Sequence, residues 1–162
     1  MLTHPFAPVW DARSEILILG SFPSVRSREE GFYYGHPRNR FWRVLAAVFD
    51  SPVPETTEEK TNLLLGRHAA LWDAAYACEI EASADSTIRR VTPTDLTPIL
   101  RGAHIRAVFA NGGTAAALYR RLQEPVTGIP AVTLPSTSPA NAAVTFEQLV
   151  ERWRILRLNV SI

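Results

Sequence analysis

Between Gly20 and Trp42 the chain gathers side chains suited to a planar, phosphate-bearing ligand. Gly20-Ser21-Phe22-Pro23-Ser24 is followed by Gly31-Phe32-Tyr33-Tyr34-Gly35-His36-Pro37-Arg38-Asn39-Arg40-Phe41-Trp42. The rings of Phe32, Tyr33, Tyr34, Phe41 and Trp42 could stack on a flat group. Arg26, Arg28, Arg38, Arg40 and Arg43 could reach phosphates. The segment follows an apolar run, Ile16-Leu17-Ile18-Leu19, which places it at the carboxyl edge of a sheet, where α/β proteins bind ligands.

A second cluster is Leu134-Pro135-Ser136-Thr137-Ser138-Pro139-Ala140-Asn141-Ala142, read as a hydroxyl-rich turn entering a helix. Ser138 fits an N-cap and Pro139 the first helical position. Free amides and hydroxyls there would suit a phosphate; the plainer reading is a well-capped helix with no ligand.

These clusters need strands to position them. Ile16 to Leu19, Ala69 to Trp72, Ile105 to Ala110 and Ala131 to Leu134 read as buried strands. Helical patterns lie between and after them, at Arg40 to Phe49, from Thr56 to Gly66, at Thr114 to Leu122 and at Phe146 to Leu156. Thr56 with Glu59 makes a capping box, and Gly66 offers a C-terminal stop. Residues 50 to 55 and 81 to 98 read as loop-rich. The alternation predicts an α/β fold of three layers, a short, mostly parallel four-stranded sheet between helices, as one domain over residues 1–162. Each strand runs into special residues: Gly20-Ser21, Asp73, Asn111-Gly112 and Pro135-Ser136. In a parallel sheet these ends share one edge, so a common cleft is expected there.

Composition narrows the function classes. The chain has 162 residues, 46% of them hydrophobic, and a net charge of +1, so any nucleic-acid contact needs a local basic surface. Arginine outnumbers lysine, with Lys60 the single lysine, a bias that phosphate contacts or genomic base composition could each produce. Cys78 stands alone, which excludes an internal disulfide and a four-cysteine metal site and fits a reducing cytoplasm. His4, His36, His68 and His104 show no ligand spacing, so no metal and no other cofactor is expected. There is no signal-peptide pattern at the N-terminus and no apolar run of membrane-spanning length. The expectation is a cytoplasmic, nucleoid-associated monomer that contacts no membrane.

The two clusters, together with Leu71-Trp72-Asp73 and Phe109-Ala110-Asn111-Gly112, resemble the uracil-DNA glycosylase superfamily over most of the chain, closest to its hypoxanthine-DNA glycosylase branch. The resemblance implies a DNA partner, flipping of a damaged nucleotide into the cleft, and hydrolysis of its glycosidic bond. Two departures matter. A position that carries Asn or Asp in many members is Phe22, and the His that opens the second motif in many members is Leu134. In the hypoxanthine branch the Asn of Gly-His-Pro-x-Asn-Arg-Phe-Trp is regarded as the important amide, and it falls on Asn39. The resemblance therefore makes Asn39 the candidate catalytic residue. Gly20, Ser21, Phe22, Pro23, Ser24, Tyr33, Tyr34, His36, Asp73 and Asn111 are candidates for the base pocket, and Arg38, Ser136, Ser138, Pro139 and Asn141 for phosphate contacts.

Cleaving a purine glycosidic bond builds positive charge on the sugar and negative charge on the base. An amide is no general base, but it can hold a water in line or donate to the base. Asp73 and Asp85 are the carboxylates nearest the expected site; Asp73 could read the base edge or act as a cap or salt-bridge partner. His36 could polarise the base or pack on Trp42, and Asn111 could face the ligand or satisfy its own turn. Arg89-Arg90 could follow DNA or be a solvated pair. Other readings are a uracil or mismatch glycosylase, a non-catalytic nucleic-acid-binding domain on the same scaffold, and an esterase. No Gly-x-Ser-x-Gly elbow supports the last.

Overall fold

Alternation inside the strands builds two cores on one sheet. In β2 (Ile16–Gly20), Ile16 and Ile18 face one way and Leu17 and Leu19 the other, and all are fully buried. The structure, a computed structural model, describes residues 1–79 and 89–161. Around β2 lie β3 (Ala69–Asp73), β6 (Ala107–Asn111) and β7 (Ala131–Leu134), in the order β3-β2-β6-β7 with every pairing parallel. β2 and β3 are buried on both faces and read as continuous apolar runs, while β7 at the edge leaves Val132 exposed.

The Ile16 face packs on α2 (Phe41–Val48), α3 (Thr57–Gly66) and α7 (Phe146–Trp153), through Phe41, Val44, Leu45, Leu64, Leu149 and Trp153. The Leu17 face packs on Leu96, on Ile99 of α4 (Thr97–Gly102) and on Tyr119 of α5 (Gly113–Leu122). Each fully buried Leu or Ile contributes roughly 1.5–3 kcal/mol. Capping boxes start α3, at Thr56 and Glu59, and α7, at Thr145 and Gln148. The α/β architecture of four parallel strands flanked by helices is the expected one.

Some local expectations fail. Gly66 is the last residue of α3 and not its stop; the left-handed residue is His68 (φ 58°), held by the Glu15 carboxylate 2.8 Å from its Nδ1. The second cluster does not enter a helix. Ser138 to Ala140 form a turn, and the next helix begins at Phe146. Carbonyls that could have served helical bonds are taken by side chains: Ser136 O accepts from Asn141 Nδ2, and Asn141 O and Val144 O accept from Arg40. The segment read as loop-rich contains β5 (Arg89–Pro93), and α4 starts at its end. With β1 (Leu2–Thr3) and β4 (Ala75–Glu79), β5 makes a second, antiparallel sheet in the order β1-β4-β5 that short-range patterns did not reveal. Arg89 and Arg90 are exposed on β5, and Arg90 pairs with Glu79. Asp85 lies outside the described residues.

Candidate active site

Register brings the strand ends together. Gly20 pairs with Asp73 and Leu134 with Asn111, at the carboxyl edge of the parallel sheet. A cleft of about 600 Å³ opens over that edge. Its lining includes Gly20, Ser21, Phe22, Pro23, Ser24, Tyr33, Tyr34, His36, Asn39, Asp73, Asn111, Ser136, Ser138 and Pro139. Arg38 and Asn141 are not among its lining residues.

Asn39 is held at its oxygen. Oδ1 accepts from the Phe41 backbone N–H (3.0 Å) and from the Thr137 hydroxyl (2.8 Å). A backbone N–H can only donate, so the orientation of the amide is determined by the geometry. Both lone pairs of the oxygen are engaged, and Nδ2 has no hydrogen-bond partner among the described residues. The end that Asn39 can offer a ligand is therefore a donor.

Thr137 is the hinge of this arrangement and is fully buried. Its hydroxyl accepts from Asn111 Nδ2 (3.0 Å), and its N–H donates to Asn111 Oδ1 (3.0 Å). Asn111 Nδ2 also donates to the Tyr34 hydroxyl (3.1 Å). Asn111 thus serves neither its own turn alone nor a free ligand position; it ties the loop after β7 to the aromatic loop. Linked bonds of this kind polarise one another. Arg40 closes the same seam, its backbone N–H donating to Thr137 O and its guanidinium to Asn141 O and Val144 O. Trp153 Nε1 anchors Pro135 O from α7.

Two glycines permit the close approaches. At Gly20 a Cβ would sit 2.3 Å from Asp73 Oδ1 and 2.7 Å from the Tyr34 hydroxyl. Gly112 has φ 94° and opens α5, and a Cβ there would meet Ser136 Cβ at 3.1 Å.

The aromatics divide into packed and available. Tyr33 is 2% exposed, its hydroxyl donates to Ala7 O, and its ring meets Phe6, Phe32 and His4. Burial, reinforced by the charge of Asp73 and by Tyr34, pushes the Tyr33 phenol far up, so it remains a donor. Phe22 is nearly buried against Ala75 and Cys78, with the Arg28 guanidinium 5.8 Å from its ring. Tyr34 is half-buried, with a left-handed backbone (φ 54°) and one face stacked on Phe41 at 4.1 Å. Trp42 pairs with Phe32 and Phe41, not with His36; His36 lines the cleft, and its Nδ1 accepts from the Arg38 N–H. That bond leaves the proton of a neutral ring on Nε2.

Of the arginines expected to reach phosphate, Arg26 pairs with Glu30, Arg28 lies by Phe22 and Arg40 is used internally. Arg38 is exposed, and its guanidinium has no partner among the described residues. Ser136, Ser138 and Pro139 line the cleft, with Ser136 Oγ accepting from Ser138 N and Ser138 Oγ from Ala140 N, while Asn141 Nδ2 donates to Ser136 O outside it. Asp73 is 3% exposed, and its Oδ2 lies 2.8 Å from His4 Nε2.

The sequence reading missed Thr137 and His4, and it missed α1 (Val25–Glu30), which is N-capped by Ser24 and supplies Val25, Arg26, Ser27 and Glu29 to the cleft wall. Thr137 sits between two equivalent hydroxyls, and His4 is far along the chain from Asp73, so no local signal marks either. No group of acidic, histidine and cysteine side chains suited to a metal occurs among the described residues. No helix among them is long and apolar enough to cross a membrane.

The cleft lies over the carboxyl edge of a short parallel sheet, walled by a Gly-Ser-Phe-Pro-Ser turn and a Pro-Ser-Thr-Ser loop, an α/β arrangement that places a ligand site at the strand ends. The chain matches the uracil DNA glycosylase superfamily over residues 7–157 and belongs to it. A hypoxanthine DNA glycosylase of Methanosarcina acetivorans is 33% identical over 142 residues, 87% of this chain and 89% of the relative. One of Methanosarcina barkeri is 36% identical over 90 residues, 55% of this chain and 57% of the relative. A solution structure described as a candidate uracil DNA glycosylase from Methanosarcina acetivorans superposes with a TM-score of 0.82 at 31% identity, covering 98% of each chain.

Proposed function

We propose that this protein is a monofunctional DNA glycosylase that hydrolyses the glycosidic bond of deaminated bases, hypoxanthine before uracil. The observation that carries the reading is the Asn39 amide, with its oxygen engaged by Phe41 N–H and Thr137 Oγ1 and its donor end left for the cleft. When the bond to the base breaks, negative charge grows on the leaving base, and a fixed N–H beside it stabilises that charge without reorganisation. Asn39 is thus assigned to the leaving base and not to accepting a proton from water.

The remaining residues supply binding. Tyr34 offers a half-buried ring for stacking, and Gly20 lets the Asp73 carboxylate and the Tyr34 hydroxyl close on the end of β2. Asp73 Oδ1 can accept from the N1–H of hypoxanthine, a donor that adenine lacks at that position. Phe22 puts an apolar ring in the cleft wall where many members of the superfamily carry a polar side chain, which favours a large purine over a polar-read pyrimidine; Leu134 is buried in the core. Arg38 supplies a phosphate contact. Work on DNA puts the protein with the chromosome, as a monomer with no cofactor.

A lyase step needs an amine to attack the sugar. Lys60, the single lysine, lies over the Trp42 ring (5.4 Å) and is not among the cleft residues. Duplexes carrying inosine or uracil test the reading. Hypoxanthine release should exceed uracil release, persist after exhaustive chelation, and leave an abasic strand that breaks only on alkali treatment. Faster uracil release would reverse the base assignment; binding without release would make the chain a binding module.

A further inference from the structure

We infer that His4 is a positioning residue for base release, coupled to Asp73 through a proton that the two side chains share; this rests on the cleft being the base pocket. His4 follows β1, and its side chain is 1% exposed, walled by the rings of Phe6, Phe22, Tyr33 and Trp72. Its Nδ1 lies 2.8 Å from the Phe6 carbonyl oxygen, and its Nε2 2.8 Å from Asp73 Oδ2. A carbonyl oxygen only accepts, so Nδ1 carries a hydrogen. The Nε2–Oδ2 contact then needs a second proton, either on Nε2, giving imidazolium against carboxylate, or on Oδ2, giving neutral ring against carboxylic acid.

Both arrangements make the pair neutral overall, and that is its use. The other oxygen of Asp73 borders the cleft beside Gly20 and the Tyr34 hydroxyl. An uncompensated carboxylate there would oppose the charge that grows on the departing base, and low surrounding polarity would strengthen the opposition. With His4 behind it, Asp73 can take an N–H from the base edge without that penalty. The other titratable or charged groups facing the pair are Tyr33, whose hydroxyl donates to Ala7 O, Tyr34 beside Oδ1, and Arg28 and Cys78 behind the Phe22 ring.

Two readouts test this. Single-turnover hypoxanthine release is followed at neutral pH for the wild-type protein, His4→Gln, Asp73→Asn and the double variant. His4→Gln should slow release about tenfold with duplex affinity unchanged. In the Asp73→Asn background the same change should add nothing. An equal loss in both backgrounds would overturn the inference. The second readout is the 15N–1H spectrum of the His4 ring in the wild-type protein and Asp73→Asn, and it needs no turnover. A hydrogen on Nδ1 in both, with the bridging proton lost in Asp73→Asn, is expected. A ring protonated on Nε2 alone would refute the shared proton, and this readout still decides if the protein releases no base at all.

Discussion

The two ends of the parallel sheet carry the same kind of pair and use it differently. At the carboxyl end His4 and Asp73 meet at 2.8 Å, with side chains 1% and 4% exposed; at the amino end His68 and Glu15 meet at 2.8 Å, with side chains 20% and 16% exposed. The amino-end pair belongs to a closed knot. Arg106 Nη2 donates to Glu15 Oε1, and the Ser161 N–H and hydroxyl donate to the same carboxylate, tying the last residues of the chain to the start of β2. There every acceptor is spent on the chain itself. At the carboxyl end, hydrogen bonds converge on the oxygen of Asn39 and leave a donor toward a cavity. Satisfied polar groups make a latch; a network that stops one bond short makes a site.

The largest effect should come from removing the end of that network. Asn39→Ala should lower base release by roughly two orders of magnitude or more, since one preorganised donor to developing charge is lost. The protein should still fold, because Asn39 lies in a loop outside the core, but with roughly 1–2 kcal/mol lost as the Phe41 N–H and the buried Thr137 hydroxyl lose their acceptor. Turnover near wild type would erase the distinction between the two ends.

A smaller effect should follow one bond further back. Thr137→Val keeps the shape and deletes the hydroxyl that donates to Asn39 Oδ1 and accepts from Asn111 Nδ2. Base release should fall about tenfold, with roughly 1 kcal/mol lost in stability. If kcat and the unfolding midpoint are both unchanged, the network is ornamental.

At the amino end the signs should reverse, with stability changing and catalysis not. Partial burial raises the Glu15 pKa, but the Ser161 hydroxyl and amide, His68 and Arg106 outweigh it and hold the carboxyl at about 2, below its ordinary 4.5. A depressed folded-state pKa contributes stability that is fully present above 4.5 and lost as pH falls toward 2. Glu15→Gln should therefore cost about 1–2 kcal/mol at neutral pH, after allowance for solvent screening, and flatten the acid limb of the stability profile. Base release below the unfolding temperature should match wild type; a drop there would mean that the ends are coupled.

How legible each end was in the sequence follows from the range of the contacts. Ile16 to Leu19 and Ala69 to Trp72 announce themselves because burial on both faces makes their composition continuous; Ala131 to Leu134 lies at the sheet edge with Val132 exposed, and was read from a shorter apolar run. Thr56 with Glu59 is a local signal, and it forms as read. Asn39 was found through a motif, and Asp73 and Asn111 through their places at strand ends. What was missed depends on distant partners: Thr137 on residues of two other elements, His4 on Asp73, and β5 on β4. The helix expected after Ser138 fails for the same reason, since Arg40 takes the carbonyls of Asn141 and Val144. Period and capping rules see neighbours along the chain, and these contacts are not neighbours.

The claim at the centre is that Asn39 acts through its N–H and not through its oxygen. Asn39→Asp tests it most directly, because the side chain keeps its shape and its acceptor for Phe41 N–H and Thr137 Oγ1 while the donor becomes an oxygen. Single-turnover release of hypoxanthine from an inosine duplex at neutral pH should fall as far as in Asn39→Ala, by roughly a hundredfold or more. A rate near wild type in Asn39→Asp would mean that this position accepts a proton from water, and it would contradict the account.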